Sequence, residues 1–273
     1  MDHQPRGAAR AEQDFDVAMA FQPILDAHTG MAFAYEALVR GRRGESAAEM
    51  LGRVTPATRY TFDQQCRVAA IEQAVAAGII ATGARLSINF MPDTVDDPVA
   101  DSQRTLRAAR ETGFPPDRLI FEFSDQDRLD GTRMARVTEA YRRMGMATAF
   151  DDFGAGADGV RLLSRFTPDA IKLDPALVRG LCGSWSRRLA VENIVQLATG
   201  LGITVIAEGV ETRAEYEKLC AIGVRYLQGY FIARPQRGIL VRPELPLPAL
   251  ADRVSTRPRA HGSVANTGES RVG

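Results

Sequence analysis

"TVIAEGVETRAEYEKLCAIGVRYLQGYFI", residues 204–232, holds one full repeat of the chain's architecture. A short apolar run, "TVIAE", gives way to a helical stretch around 212–222 that opens on Thr212 and stops at Gly223. Threonine serves at a helix N-cap because its hydroxyl can accept from a free first-turn amide, and glycine tolerates the left-handed backbone that closes a helix. A second apolar run, "YLQGYFI", follows at once. Strand, helix and strand within about thirty residues predict a βαβ unit with parallel strands.

The same alternation runs outward from this stretch. Six further candidate strands fit it: "AMAFQPIL", "MAFAYEALV", "RLSINF", "LIFEF", "ATAFDD" and "AIKLD". Helical stretches around 61–78, 99–112, 131–144 and 186–201 lie between most of them, each followed closely by a glycine (Gly78, Gly113, Gly145, Gly202), and Asp130 is a second candidate N-cap. Only "DAHTG" separates the first two strands, too little for a helical crossover, so this pair is expected to be antiparallel. Eight strands without a mid-chain linker predict an α/β fold, a TIM-type (β/α)8 barrel with an antiparallel first strand pair over residues 16–242; an open doubly wound sheet is the alternative. Residues 1–15 and the proline-rich, small-residue stretch 243–273 are expected to be disordered.

Composition narrows the function. Thirty-four basic residues balance thirty-four acidic ones, so no general positive field is available to hold DNA, RNA or an anionic membrane. No apolar run approaches a membrane span and the N-terminus lacks an apolar signal core, which predicts a cytoplasmic protein. Cys66, Cys182 and Cys220 are far apart with no CxxC pair, and His3, His28 and His261 fall in a tail or a turn, so neither a disulfide frame nor a zinc site is indicated.

The informative residues are polar ones at strand ends, where the active groups of such barrels gather. Glu36, Asn89, Glu122, Asp151 with Asp152, Lys172, Glu208 and Gln228 each interrupt or close an apolar run. Side chains alternate along a strand, so Asn89 faces away from Leu86, Ile88 and Phe90, Glu122 away from Phe121 and Phe123, and Glu208 away from Val205 and Ala207. Any one of them alone reads as a solvated cap or an ion-pair partner. Together, five or six carboxylates converging on a single lysine repel one another unless a cation neutralises them. Oxygen donors without His or Cys select hard divalent ions such as magnesium, manganese or calcium. Adjacent aspartates in "AFDDFGAGADG", residues 149–159, can serve two such ions, the arrangement that activates water and stabilises the leaving oxygen in phosphodiester hydrolysis.

These residues carry a family resemblance. "FQPILD", "YEALVRG", "INFMP", "FEFSD", "DDFGAG", "AIKLD", "AEGVET" and "LQGYFIARP" stand in the order and approximate spacing of the EAL phosphodiesterases, named for the Glu-Ala-Leu found here at Glu36, Ala37 and Leu38. The resemblance spans about residues 18–236. It implies hydrolysis of the second messenger cyclic di-GMP to linear pGpG with two Mg2+ or Mn2+ ions per site, on a TIM barrel that often forms a homodimer. By position, Glu36, Asn89, Glu122 and Asp151 match the family's metal ligands, and Asp152 and Glu208 match groups that complete the second ion and handle the water. Lys172 matches the lysine that orients or activates this water, and Glu211 a supporting acid. Gln228 matches a glutamine near the metal waters, Gln22 and Arg40 match substrate contacts, and Pro235 a position beside a guanine base.

Two departures from the pattern accompany the match. The acid three residues beyond Glu122 is Asp125 where the family usually has glutamate, and the loop it anchors carries Ala157, Asp158 and Val160 in place of an aromatic, a small residue and leucine. A shorter anchor under a less bulky loop is expected to slow turnover or to leave a cyclic di-GMP receptor or protein-interaction module, and it puts the family-type dimer in doubt. A barrel hydrolase acting on another phosphoester is a third reading. The motifs "YEALVRG" and "IKLDPALVRG" also resemble EAL domains joined to flavin blue-light sensors, so a separate sensor or adaptor protein is an expected partner.

Overall fold

The computed structural model describes residues 13–124, 130–155 and 159–243. Most of both ends expected to be disordered lies outside the described residues, as do Asp125, Ala157 and Asp158. The described chain starts at residue 13, and Phe15 already packs edge-on against Phe62.

Eight strands close into a barrel: β1 (Val17–Asp26), β2 (Ala32–Gly41), β3 (Arg85–Asn89), β4 (Leu119–Ser124), β5 (Ala147–Phe153), β6 (Ala170–Leu173), β7 (Thr204–Ala207) and β8 (Tyr226–Leu227). From β2 to β8 all neighbours are parallel; β1 runs antiparallel to both β2 and β8 and seals the ring. The expected TIM-type barrel with an antiparallel first pair is therefore the fold. A short β9 (Gln236–Arg237) adds to the outside of β1 at Ala20 and Phe21.

Helices fill the crossovers: α1 (Ala47–Leu51), α2 (Arg59–Ala76), α3 (Ile79–Thr82), α4 (Pro98–Thr112), α5 (Gly131–Arg143), α6 (Gly159–Leu163), α7 (Pro175–Val178), α8 (Trp185–Leu201) and α9 (Arg213–Ile222). The five long ones are those read from the sequence. Thr212 caps α9 in a capping box with Glu215, Asp130 caps α5, and Gly113, Gly202 and Gly223 close their helices with left-handed backbone. The short helices α1, α3, α6 and α7 were not legible, being too brief to show a helical period.

Strand alternation builds two cores. Outward residues, among them Leu86, Ile88, Phe121, Phe123 and Phe150, join the helices in the main apolar cluster. Inward residues form a layer of Ile24, Ala34, Ile120, Ala149, Ala170 and Ile206 across the barrel. Two residues further along the parallel strands the inward positions turn polar, at Glu36, Glu122, Asp151, Lys172 and Glu208, and lie at the C-terminal mouth.

The last strand is shorter than expected. "YLQGYFI" reads as one extended run, but after Leu227 the chain folds onto the loop following β7: Val210 donates to Gln228 O (3.1 Å) and Phe231 donates to Val210 O (2.9 Å). Only a glycine fits this approach, since a Cβ at Gly229 would sit 2.2 Å from Val210 O. The strand therefore stops at Leu227, eight residues before Pro235.

Candidate metal and phosphoester site

At the centre of the mouth stands Lys172, fully buried (0% exposed), on the inward face of β6. Its Nζ lies 2.6 Å from Glu208 Oε1, 2.7 Å from Glu122 Oε2, 3.3 Å from Glu36 Oε2 and 3.6 Å from Asp151 Oδ1. Strands β2, β4, β5, β6 and the end of β7 each contribute one member, which is why residues spread over 172 positions meet within a few ångströms. Strand pairing sets the heights: Asn89 sits beside Glu122, and Gln22 beside Glu36.

Amides complete the ring. Glu36 Oε1 accepts from Asn89 Nδ2 (2.9 Å) and Oε2 accepts from Gln228 Nε2 (2.7 Å), which also reaches Gln22 Oε1 (3.2 Å). A carboxylate only accepts, so Asn89 must turn its NH2 to Glu36, leaving its Oδ1 as a donor atom for a cation. Gln228 Oε1 is buried and accepts no hydrogen bond from the protein, an atom suited to a bound water.

The two adjacent aspartates pose a geometric problem that the backbone solves. Strict alternation would send Asp152 to the helix side. Instead the β5–β6 register breaks between Phe150 and Phe153, and Asp152 adopts a left-handed backbone (φ 54°), with its N–H donating to Asp151 Oδ1 at 2.9 Å. Such a conformation is uncommon outside glycine and costs on the order of 1–3 kcal/mol, which locates strain at this point of the strand. As a result, ligand oxygens of Asp151, Asp152 and Glu208 all lie within 4.8 Å of one another.

Electrostatics follow from crowding. Burial, with Glu36 and Asp151 nearby, pushes the Glu122 carboxyl up to about 8 against the pull of Lys172. Burial and the neighbouring carboxylates likewise raise Glu208 well above the usual range. Glu36 is also desolvated, yet Lys172 and the amides of Gln228 and Asn89 outweigh this and hold it below the ordinary glutamate value. Lys172 is buried too, but Asp151, Glu122 and Glu208 raise it well above a free lysine. Glu36, Glu122, Asp151, Asp152 and Glu208 set five carboxylates against one ammonium, leaving four negative charges when all are ionised. Two divalent cations match that number, and the oxygen-only donor set fits hard ions.

Other expected site residues fall on the rim. Glu211 pairs with Arg179 (2.8 Å) and lines a cavity of about 260 Å3 with Gln22, Glu36, Asp151, Glu208 and Gln228. Arg40 shares the inward face of β2 with Glu36, but its Nη1 turns back to Val39 O (2.7 Å). Pro235 follows the segment that Gln22 ties down through Ala233 O (3.0 Å). A second cavity of about 400 Å3 opens from Glu36, Asn89, Glu122 and Asp151 toward α1 and α2.

Sequence reading missed Ser87, Arg179 and Asp63. Ser87 hydrogen-bonds Glu122 Oε1 at 2.5 Å, and its position two residues before Asn89 put it on the inward face by simple alternation. Arg179 follows a four-residue helix with no periodic signal, and Asp63 looks like any exposed helical acid until its burial is known.

The chain belongs to the EAL domain family, whose model matches residues 8–235. A standalone EAL protein from Vibrio cholerae, solved in a c-di-GMP-bound form, is 40% identical and superposes with a TM-score of 0.81, covering 85% of this chain and 98% of that one. BlrP1 of Klebsiella pneumoniae, solved as a manganese/cy-diGMP complex, is 30% identical with a TM-score of 0.78, covering 87% and 60%. The cyclic di-GMP phosphodiesterase PA2567 of Pseudomonas aeruginosa is 32% identical over 226 residues, 80% of this chain and 38% of that protein. The chain spans about half or less of the length of several curated relatives it matches, among them BluF, PdeN and DosP of Escherichia coli and PA2567. Among the described residues no helix is long and apolar enough to cross a membrane.

Proposed function

We propose that this chain is a divalent-cation-dependent phosphodiesterase that hydrolyses cyclic di-GMP to linear pGpG. The observation that carries the reading is the ring of five carboxylates and Asn89 around one buried lysine at the barrel mouth. Its membership of a family with cyclic di-GMP phosphodiesterases, and the nucleotide and manganese in related structures, support it.

Glu36, Asn89, Glu122, Asp151, Asp152 and Glu208 would hold two Mg2+ or Mn2+ ions. When bound, these ions supply an activated water and compensate charge on the phosphoryl oxygens. As water attacks, a P–O bond forms and a proton must leave it; as the bond to the 3′ oxygen breaks, that oxygen must gain one. Glu208, whose carboxylate lies 2.6 Å from Lys172 at the end of β7, would take the first proton. Lys172 offsets the charge that develops on phosphate. Gln22 and Gln228 line the cavity of about 260 Å3 that a nucleotide would enter, Arg40 and Pro235 would contact it as the family match implies, and Arg40 must leave Val39 O to reach a phosphate.

Incubation of the purified chain with cyclic di-GMP and Mn2+, followed by chromatography of nucleotides, tests the reading. Metal-dependent pGpG that Glu36→Ala abolishes is expected. Tight nucleotide binding without product would show a receptor instead of an enzyme.

A further inference from the structure

We propose that Asp63 is a positioning residue for the barrel mouth: its carboxylate anchors the amide of Met91 and so fixes the direction in which Asn89 presents its side chain. The inference rests on the reading of Asn89 as a cation donor.

The chain leaves the sheet just past Asn89. Phe90 N–H still donates to Glu122 O (2.9 Å), but the next amide, that of Met91, has no strand opposite it. Asp63 Oδ1 accepts from it at 2.9 Å. The peptide planes on both sides of Phe90 are thereby held, and with them the Cα–Cβ direction of Asn89. Its NH2 is then aimed at Glu36 and its oxygen left for a cation.

Asp63 can act as an anchor because it cannot move. It is 2% exposed on α2, and Arg67, one turn further on and 0% exposed, meets its other oxygen at 2.5 Å. Arg67 in turn bonds Asp101 of α4 (2.6 Å) and the Tyr141 hydroxyl of α5 (3.2 Å), and its guanidinium lies 5.2 Å from the Phe90 ring centre. Three helices thus converge on the residue that follows Asn89. Apolar side chains of similar volume would often stabilise this interface equally well, since burying ions carries a desolvation cost. They could not offer Met91 an acceptor. Burial pushes the Asp63 carboxyl up to about 6 against the opposing Arg67, so it is mainly ionised at neutral pH.

The test uses two substitutions that separate geometry from charge. Asp63→Asn keeps an oxygen for Met91 and loses the charge, its NH2 then facing Arg67 so that its cost falls on stability; Asp63→Glu keeps the charge and displaces the oxygen by a methylene. Titration calorimetry of the full chain with Mn2+ alone is expected to show about a 10- to 100-fold weaker affinity for Asp63→Glu, the range typical of lost supporting contacts, and near-unchanged affinity for Asp63→Asn. The reverse order, or equal affinities in all three proteins, overturns the proposal. Hydrogen exchange at the Met91 amide is a second measurement that needs no variant: slow exchange in the unchanged protein supports the anchor, and exchange at the rate of an open peptide overturns it. If the unchanged protein binds no Mn2+, the cation reading fails, while the Met91 amide still decides the anchor.

Discussion

Replacing Lys172 with methionine keeps the volume of the side chain and removes the one ammonium among five carboxylates. Lys172 is fully buried and its four contacts, at 2.6, 2.7, 3.3 and 3.6 Å, run to buried or partly buried carboxylates; breaking a buried ion pair from one side costs about 3–5 kcal/mol. For a domain of this size each kcal/mol moves the melting temperature by about 2–4 °C, so a drop of roughly 6–20 °C is expected at pH 8.5 in chelator. The drop must depend on pH. Without Lys172 the Glu122 and Glu208 carboxyls rise further above their unfolded values, and the pull that holds Glu36 down is lost. The folded protein then retains protons that the unfolded chain has already released, and stability falls as pH rises. The gap between variant and unchanged protein should therefore widen from pH 6 to pH 8.5, and saturating Mn2+ should narrow it, because the variant's ring has lost its ammonium and attracts cations more strongly. Turnover should fall by about 10²–10³ at saturating metal, the range for loss of a group that stabilises developing charge. Thermal melts at the two pH values, with and without Mn2+, decide the matter. A gap of equal size at both, or none, would refute the account of Lys172 as the counterion of the ring.

Glu36→Gln should weaken Mn2+ binding by at least about tenfold and abolish pGpG formation, because an amide NH2 would face the donors of Asn89 or Gln228; calorimetry and nucleotide chromatography report both. Away from the site, Asp26 forms a two-point pair with Arg225 (2.6 and 2.8 Å), which holds its carboxyl down to about 2 against the cost of burial. The stabilisation from this pair is fully present above pH 4 and lost as pH falls through 2, and its size is reduced by the exposure of the arginine. The stability difference between Asp26→Asn and the unchanged protein, measured by urea unfolding, should vanish over that window. Gly229→Ala should destabilise the chain by about 2 kcal/mol or more and displace Gln228, since its Cβ would meet Val210 O at 2.2 Å; unchanged melting would contradict this packing.

Much of this site could be read before any coordinates. Glu36, Asn89, Glu122, Lys172 and Glu208 are polar interruptions of apolar strands, and alternation alone puts each opposite the residues that pack on helices. The antiparallel start follows from five residues too few to hold a helix. Other parts were not legible. "YLQGYFI" has the composition of a seven-residue strand, yet only two residues pair, because the contact that bends it comes from Val210 in another loop. Asp63 and Arg67 carry the i, i+4 spacing of a solvent-facing ion pair, and only the packing of α4 and α5 over them makes the pair internal.

The order of residue types, and hence the barrel, the oxygen-only donor set and the single lysine, is a local property: strand alternation and loop length are set by neighbours in the chain. Tertiary structure decided how the donors meet. Asp152 joins Asp151 at the mouth only because the backbone turns left-handed where β5 breaks register with β6, a break that no residue pattern within "TAFDDF" announces. Proton affinities are non-local for the same reason: Glu36 and Glu122 are the same side chain, and their shifts take opposite directions from what each lies beside.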